Sequence, residues 1–198
     1  MDCFEELRNR IRAVVAVSDE DLARIISQFE CRTFAKDAAL LREGGRCDFW
    51  GFVHRGLVRV YTHTAAGEEF TNGFAQEGAF LTEVVSFYSQ SPGLENLVAL
   101  EDTVLICVTY PRLQQLFADF PAFEKFGRVL YETILTQMKR RILYRVHFDA
   151  QTRYLHLLET QPDLLRRVPL KHLASYLSIT DSTLSRIRRK VVAAPRAE

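Results

Sequence analysis

Apolar side chains recur first at helical spacing, then in short alternating runs, then at helical spacing again. Leu7, Ile11, Val14 and Val15 share one helical face; Ser18 or Asp19 then starts a second helix carrying Leu22, Ile25, Ile26 and Phe29. From about residue 31 the period shortens. Runs rich in β-branched and aromatic residues follow one another at Cys31–Phe34, Phe49–His54, Leu57–Thr62, Glu68–Phe74, Glu95–Leu100 and Val104–Val108. Gly44-Gly45, Arg55-Gly56, Ala66-Gly67, Glu77-Gly78 and Pro92-Gly93 supply turns between them. Strands this closely spaced predict a small antiparallel barrel or roll.

After Pro111 the pattern is helical again. Pro121 opens a long helix running to about Phe148, with Phe123, Phe126, Leu130, Ile134, Met138 and Ile142 in one stripe and Tyr131 and Leu135 widening it. Such a helix carries more apolar surface than one small roll can cover. The stripe of Phe126, Leu130, Ile134 and Met138 therefore packs on its own copy across a dimer axis, or on the roll. A further helix, about Ala150–Thr160, leads through Gln161-Pro162-Asp163 to the last segment.

That last segment, Val168 to Lys190, reads as two short helices joined by a tight turn. Pro169 suits a first helical position, where its missing N–H costs nothing. Leu170, Leu173, Ala174 and Leu177 line the first helix, and small Ala174 lets a second helix cross closely. Ser178 occupies the turn and is placed for positive φ. Thr180 or Asp181 caps the second helix through a side-chain oxygen. Leu184, Ile187 and Val191 form its inner face; Ser182, Ser185, Arg186 and Arg189 form the opposite one. An apolar face for the first helix and a cationic face for a major groove is the layout of a helix-turn-helix. Arg186 is the expected base reader, with Ser182 and Ser185 making shorter contacts and Asp181 either capping or accepting from a cytosine amino group. Lys171, Arg188, Arg189 and Lys190 are expected on phosphates, with Thr180 and Thr183 completing the interface.

Charge sharpens this picture. The chain has 26 basic and 25 acidic side chains, a net of +1. Residues 1–138 hold 13 basic and 20 acidic groups, a net of −7; residues 139–198 hold 13 and 5, a net of +8. A basic C-terminal part on an acidic remainder is the footprint of phosphate binding. The expected domains are a roll over 1–120, a dimerisation helix over 121–148 and a helix-turn-helix domain over 149–198.

Several classes find no support. No run of about 18 apolar residues exists to span a membrane. The acidic start, Met1 to Glu6, lacks a signal peptide's apolar centre, so a cytoplasmic location is expected. Cys3, Cys31, Cys47 and Cys107 contain no short-spaced pair and read as small, reduced, partly buried residues. His54, His63, His147, His156 and His172 show no ligand spacing. No metal, cofactor or catalytic constellation is expected, and the chain does not read as an enzyme.

The order helix, β-roll, long helix, helix-turn-helix resembles the CRP/FNR, or catabolite-activator, superfamily of bacterial transcription regulators. Arg55-Gly56-Leu57-Val58-Arg59-Val60-Tyr61 resembles the glycine-turn-strand of its cyclic-nucleotide-binding roll. Gly78-Ala79-Phe80-Leu81-Thr82-Glu83 resembles the start of its phosphate-binding cassette, and Leu173-Ala174 through Arg186 its DNA-reading motif. The resemblance implies an α+β fold, a homodimer, a promoter or operator in double-stranded DNA, RNA polymerase as a partner, and a small-molecule effector on the roll.

The resemblance also implies an effector pocket around Arg59, Gly78, Thr82, Glu83, Gly93 and Leu94, and there the chain departs from the family. Cyclic-nucleotide-binding members follow a Gly-Glu pair with an Arg-Ser pair about ten residues later; here Thr82-Glu83 is followed by Gly93-Leu94. The acid that holds the ribose is kept and the cation that pairs the cyclic phosphate is not. Burying a phosphate without that cation is poorly compensated, so the pocket is expected to be degenerate and not to bind cyclic AMP tightly. The close cysteine cluster of the iron–sulfur members is also missing. The reading helix begins Asp181-Ser182 where members often have Arg-Glu, so the family's half-site does not carry over. Gln161–Val168 is too short for a wing hairpin, and the residues after Lys190 leave no room for a C-terminal one. The reading from another class is a small-molecule-binding or protein-interaction module that does not bind DNA; the basic tail favours the regulator.

Overall fold

The computed structural model describes residues 3–193. The segment after Lys190, where no wing is expected, lies partly outside that range. The described residues divide into two compact units: 3–62 with 72–134, and 63–71 with 135–193.

The N-terminal unit begins with α1 (Glu5–Arg12) and α2 (Asp19–Ile26). Ser18 caps α2, its Oγ accepting from the Asp21 N–H. Leu7, Ile11 and Ile25 are fully buried, which anchors both helices. The strands are β1 (Glu30–Phe34), β2 (Ala39–Leu41), β3 (Trp50–Arg55), β4 (Leu57–His63), β5 (Glu69–Gln76), β6 (Phe80–Leu81), β7 (Asn96–Ala99) and β8 (Thr103–Val108). They form two four-stranded sheets, ordered β1-β8-β3-β6 and β2-β7-β4-β5, with antiparallel pairing throughout the registers of β1, β3 and β7. The six expected runs match β1, β3, β4, β5, β7 and β8 within two residues at each end. β2 and β6 are too short to show a period of two.

The β3–β4 turn needs its glycine. Gly56 has φ of +101°, and a Cβ there would stand 2.5 Å from Thr103 Oγ1 and 2.7 Å from the Asp102 carbonyl oxygen. Within the β1-β8-β3-β6 sheet, Trp50 of β3 stacks on Phe80 of β6 at 4.6 Å, and Phe80 meets Phe126 at 5.7 Å. Helix α3 (Val84–Ser89) follows β6. Helix α4 (Tyr110–Asp119) carries Pro111 in its first turn, where the lost N–H is harmless.

Helix α5 (Pro121–His147) is the long helix expected from Pro121. Its apolar stripe divides. Phe123, Phe126 and Leu130 are buried in the chain's own core and Ile134 packs partly against it. Each full burial contributes about 1.5–3 kcal/mol. Beyond them Leu135, Met138, Ile142 and Val146 are 54–74% exposed. Of the two packings expected for the stripe, Phe126 and Leu130 take the one on the roll. The open apolar face runs from Leu135 to Val146.

The C-terminal unit contains that half of α5, then α6 (Ala150–Thr160), α7 (Pro162–Arg167), α8 (Leu170–Tyr176) and α9 (Asp181–Ala193). The segment Gln161–Val168 is a short helix. Pro169, expected at the first helical position, stands instead as the N-cap of α8, with ψ of 141°, one residue before the first helical residue Leu170. Its ring fixes φ while its extended ψ holds it outside the helix.

Residues 63–71, the tip of the β4–β5 hairpin, belong to this unit. Thr71 N–H donates to Ser175 Oγ at 2.8 Å, and Ser175 Oγ donates to the Glu69 carbonyl at 3.1 Å. Arg141 donates to the Thr71 carbonyl at 3.3 Å and lies over the Tyr176 ring at 4.1 Å. Arg145 lies over the Phe70 ring at 4.7 Å. The hydroxyl of Ser175 thus takes the place of a neighbouring strand for the hairpin edge.

Candidate nucleic-acid interface and roll site

Helices α8 and α9 form around Leu173, Ala174, Leu177, Leu184 and Ile187, none more than 7% exposed. Small Ala174 permits the close crossing. Ser178 turns the chain at φ of +56°, the position expected of it. Thr180 is the cap: its Oγ1 accepts from the Thr183 N–H at 3.2 Å, while Asp181 is the first helical residue, placing its carboxylate at the positive end of the helix dipole.

The outer face of α9 carries the residues expected there. Asp181, Ser182, Arg186, Arg188, Arg189 and Lys190 are exposed, as are Thr180 and Lys171; Thr183 and Ser185 are half-buried. Arg188, although sequentially next to Ile187, faces outward. Thr180 Oγ1 links to Ser182 Oγ at 3.0 Å and donates to Thr183 Oγ1 at 2.9 Å. Arg186 Nη2 donates to Thr183 Oγ1 at 3.2 Å, which steadies the guanidinium and leaves the rest of its fork open. Arg189 Nε donates to the Ser185 carbonyl at 3.4 Å.

A cleft of about 530 Å³ lies against this face, lined by Gln151, Thr183, Arg186, Ile187, Arg189 and Lys190. Gln151 was not legible as a site residue. It sits in the first turn of α6, whose cap Asp149 accepts from the Thr152 N–H at 2.8 Å. That bond holds the Asp149 carboxyl below its ordinary range. The cleft combines an amide, a hydroxyl and three cations, a donor set suited to phosphate oxygens and base edges.

The roll residues are arranged differently. Glu83 is 1% exposed and caps α3, accepting from the Ser86 N–H at 2.5 Å. Gly93 packs directly on it: a Cβ there would lie 3.1 Å from Glu83 Oε2. Gly93 also pairs its backbone with Gly45 and Gly44, at 2.7 and 2.9 Å. Ser86 Oγ accepts from the Cys47 N–H and donates to the Ser91 carbonyl. Thr82 Oγ1 donates to the Phe49 carbonyl at 2.8 Å. Glu83, Gly93 and Thr82 are thus knitted into their own loop. Gly78 sits in an exposed turn at φ of +80°, its N–H donating to the Val53 carbonyl. Leu94 is 62% exposed. Arg59 is buried, its guanidinium 4.3 Å from the centre of the Tyr61 ring. Arg46, which no motif or spacing marks, bonds to Gln90 at the end of α3 and brings a cation to the loop.

Residues 31–120 match the family model for the cyclic nucleotide-binding domain. The chain has the fold of the CRP/FNR superfamily. The c-di-GMP responsive global regulator CLP of Xanthomonas campestris superposes with a TM-score of 0.70 at 21% identity, over 89% of this chain and 92% of that one. FixK2 of Bradyrhizobium japonicum gives 0.68 at 18% identity, over 83% and 84%. The catabolite activator protein of Thermus thermophilus gives 0.57 at 19%, over 89% and 84%. No curated protein matches by sequence. The roll contains the residues that match the family model, and α8–α9 form the C-terminal helical pair of this fold. No described helix is long and apolar enough to cross a membrane.

Proposed function

We propose that this chain is a homodimeric, sequence-specific DNA-binding transcription regulator with a roll degenerate toward cyclic nucleotides. The observation that carries the reading is the outer face of α9. A capped helix, buried on one side, presents Ser182, Arg186, Arg189 and Lys190 to solvent beside the first turn of α6. Arg186 is the base reader, able to bond guanine O6 and N7 in parallel. Lys171, Arg188, Arg189 and Lys190 hold phosphates and give affinity without sequence preference. Gln151, lining the same cleft, joins that set.

The dimer forms through the open half of α5, where Leu135, Met138, Ile142 and Val146 recur at helical spacing. A two-fold axis there would set two α9 helices on major grooves about 34–36 Å apart. RNA polymerase is the partner such a regulator recruits or blocks, in the cytoplasm.

Cyclic AMP and cyclic GMP are not its effectors in this reading. Glu83 is committed to the α3 cap, and Gly93-Leu94 occupies the place of the phosphate-pairing Arg. A lost charged partner is worth about 1.5–3 kcal/mol. Another small molecule remains the expected ligand of the roll.

Selection from random duplex DNA, followed by anisotropy titration, tests the central claim. A palindromic site bound far more tightly than random duplex is expected, with Arg186→Ala relaxing preference at one base pair. Equal binding to all duplexes, or none, overturns it. Ultracentrifugation at micromolar concentration tests the dimer, and a Met138→Glu, Ile142→Glu chain should sediment as a monomer. Calorimetry tests the roll: micromolar binding of either cyclic nucleotide with tighter operator binding would assign Arg59 or Arg46 the missing cation's role.

A further inference from the structure

Cys3 and Cys31 are 28 residues apart in sequence, and the fold brings their sulfurs to 2.6 Å. Cys31 is exposed on β1, the edge strand of its sheet; Cys3 is half-buried just before α1. The buried Leu7 and Ile11 hold α1 in the core, and with it the approach of Cys3 to β1. Cysteines are otherwise kept apart here. Cys47 is 1% exposed and Cys107 fully buried. Burial pushes the Cys107 thiol up to about 12, which leaves it a poor nucleophile. Cys31 faces Ile106 across the β1–β8 ladder, so the alternation of strands puts Cys107 on the other face of the sheet.

We propose that Cys3 and Cys31 are a reversible redox pair that closes an intramolecular disulfide when the cell meets peroxide. The exposed Cys31 sulfur, as thiolate, attacks one oxygen of hydrogen peroxide, breaking the O–O bond and releasing hydroxide; Cys31 becomes a sulfenic acid. The Cys3 sulfur then attacks the Cys31 sulfur. The S–O bond breaks, the S–S bond forms, and hydroxide leaves to join the released protons as water. In sum, two thiols and one peroxide give one disulfide and two waters. A dithiol reductant reverses the step by two exchanges. The closed bond ties the start of α1 to the edge of β1 around α1 and α2. It restricts the unfolded chain and so favours the folded N-terminal unit. This inference is independent of DNA binding.

The full-length protein, reduced and freed of reductant, is treated with hydrogen peroxide, quenched, alkylated and mapped by mass spectrometry. The expected product carries no covalent link between chains; each chain has lost two hydrogens, and a single cross-linked peptide pair contains Cys3 and Cys31. Dithiothreitol should restore the starting mass. The oxidised form should melt several degrees higher than the reduced form. Cys3→Ser and Cys31→Ser chains, each folded by circular dichroism, should lose the cross-link and show no such rise. Cross-links between chains, a cross-link to Cys47 or Cys107, or over-oxidation of Cys31 with Cys3 still alkylated would each overturn the proposal. So would a wild-type chain that keeps its full thiol count.

Discussion

Two helices in this molecule start from the same device and do opposite things with it. α3 is capped by Glu83 and α9 by Thr180, each accepting a backbone N–H three residues on. At α3 the cap is 1% exposed, and Gly93, Ser86 and the Gly44-Gly45 backbone close over it. At α9 the cap is exposed, and Asp181, Ser182 and Arg186 after it face solvent. Capping physics is indifferent to this choice, since both oxygens satisfy an orphan donor. What differs is the neighbourhood. A carboxylate that caps its own helix and is covered by glycine offers little surface to a ligand. A hydroxyl cap on an open helix costs the following Arg and Ser nothing. The lesson is that a retained motif residue, here Glu83, says less about binding than whether the fold leaves it open to a ligand.

The largest break in the comparison would come from beneath the open helix. Leu184 is fully buried between α8 and α9, so Leu184→Ala should cost about 2–5 kcal/mol and remove DNA binding. Calorimetric unfolding should show the loss in one transition and leave the N-terminal unit's transition in place; a shift of both would merge the two units energetically.

Next in size is Arg186→Ala, expected to cost about 1–3 kcal/mol on the selected site with no change in melting. Affinity measured against single-base variants of that site checks it, and an unchanged preference at every position would move the reading register along α9. The quadruple alanine variant of Lys171, Arg188, Arg189 and Lys190 should instead flatten the salt dependence of binding to every duplex. An unaltered slope removes these residues from the phosphate set.

Glu83→Ala sharpens the other side. Losing the α3 cap should cost about 0.5–2 kcal/mol of stability and leave operator affinity as it was. Denaturant titration and anisotropy on the same sample decide it; a tenfold loss of operator affinity would mean that the closed cap takes part in signalling.

The smallest effect concerns Asp149, the α6 cap beside the cleft. Its folded carboxyl titrates below its unfolded value because the Thr152 N–H favours the charged form. The contribution to stability is therefore complete above the ordinary carboxylate range near pH 4 and fades as pH falls through the lower folded value. Acid titration of Asp149→Asn against wild type should show the two curves converging at low pH.

Much of this was legible in the order of residues. The six longer strands, the capped α2, the long helix opening at Pro121 and the α8–α9 pair all follow from spacing and caps, because these are local properties. Positive φ at Ser178 and the outward face of Arg186, Arg189 and Lys190 follow the same way. Gln151 and Arg46 were not legible. Each reaches its site from an element distant in sequence, and a lone amide or cation leaves no periodic trace.

The sequence by itself determined the longer elements, the segregation of charge and the cationic face of α9, since helical and strand periods and caps act over a few residues. Only the tertiary structure decided how partners far apart in the chain are shared out. It gave Phe126 and Leu130 to the core while leaving Met138 and Ile142 open, folded Gly93 onto Glu83, seated Ser175 against the β4–β5 tip, and set Cys3 against Cys31. These pairings depend on which surfaces burial brings into contact across tens of residues, and no spacing rule along the chain reaches that far.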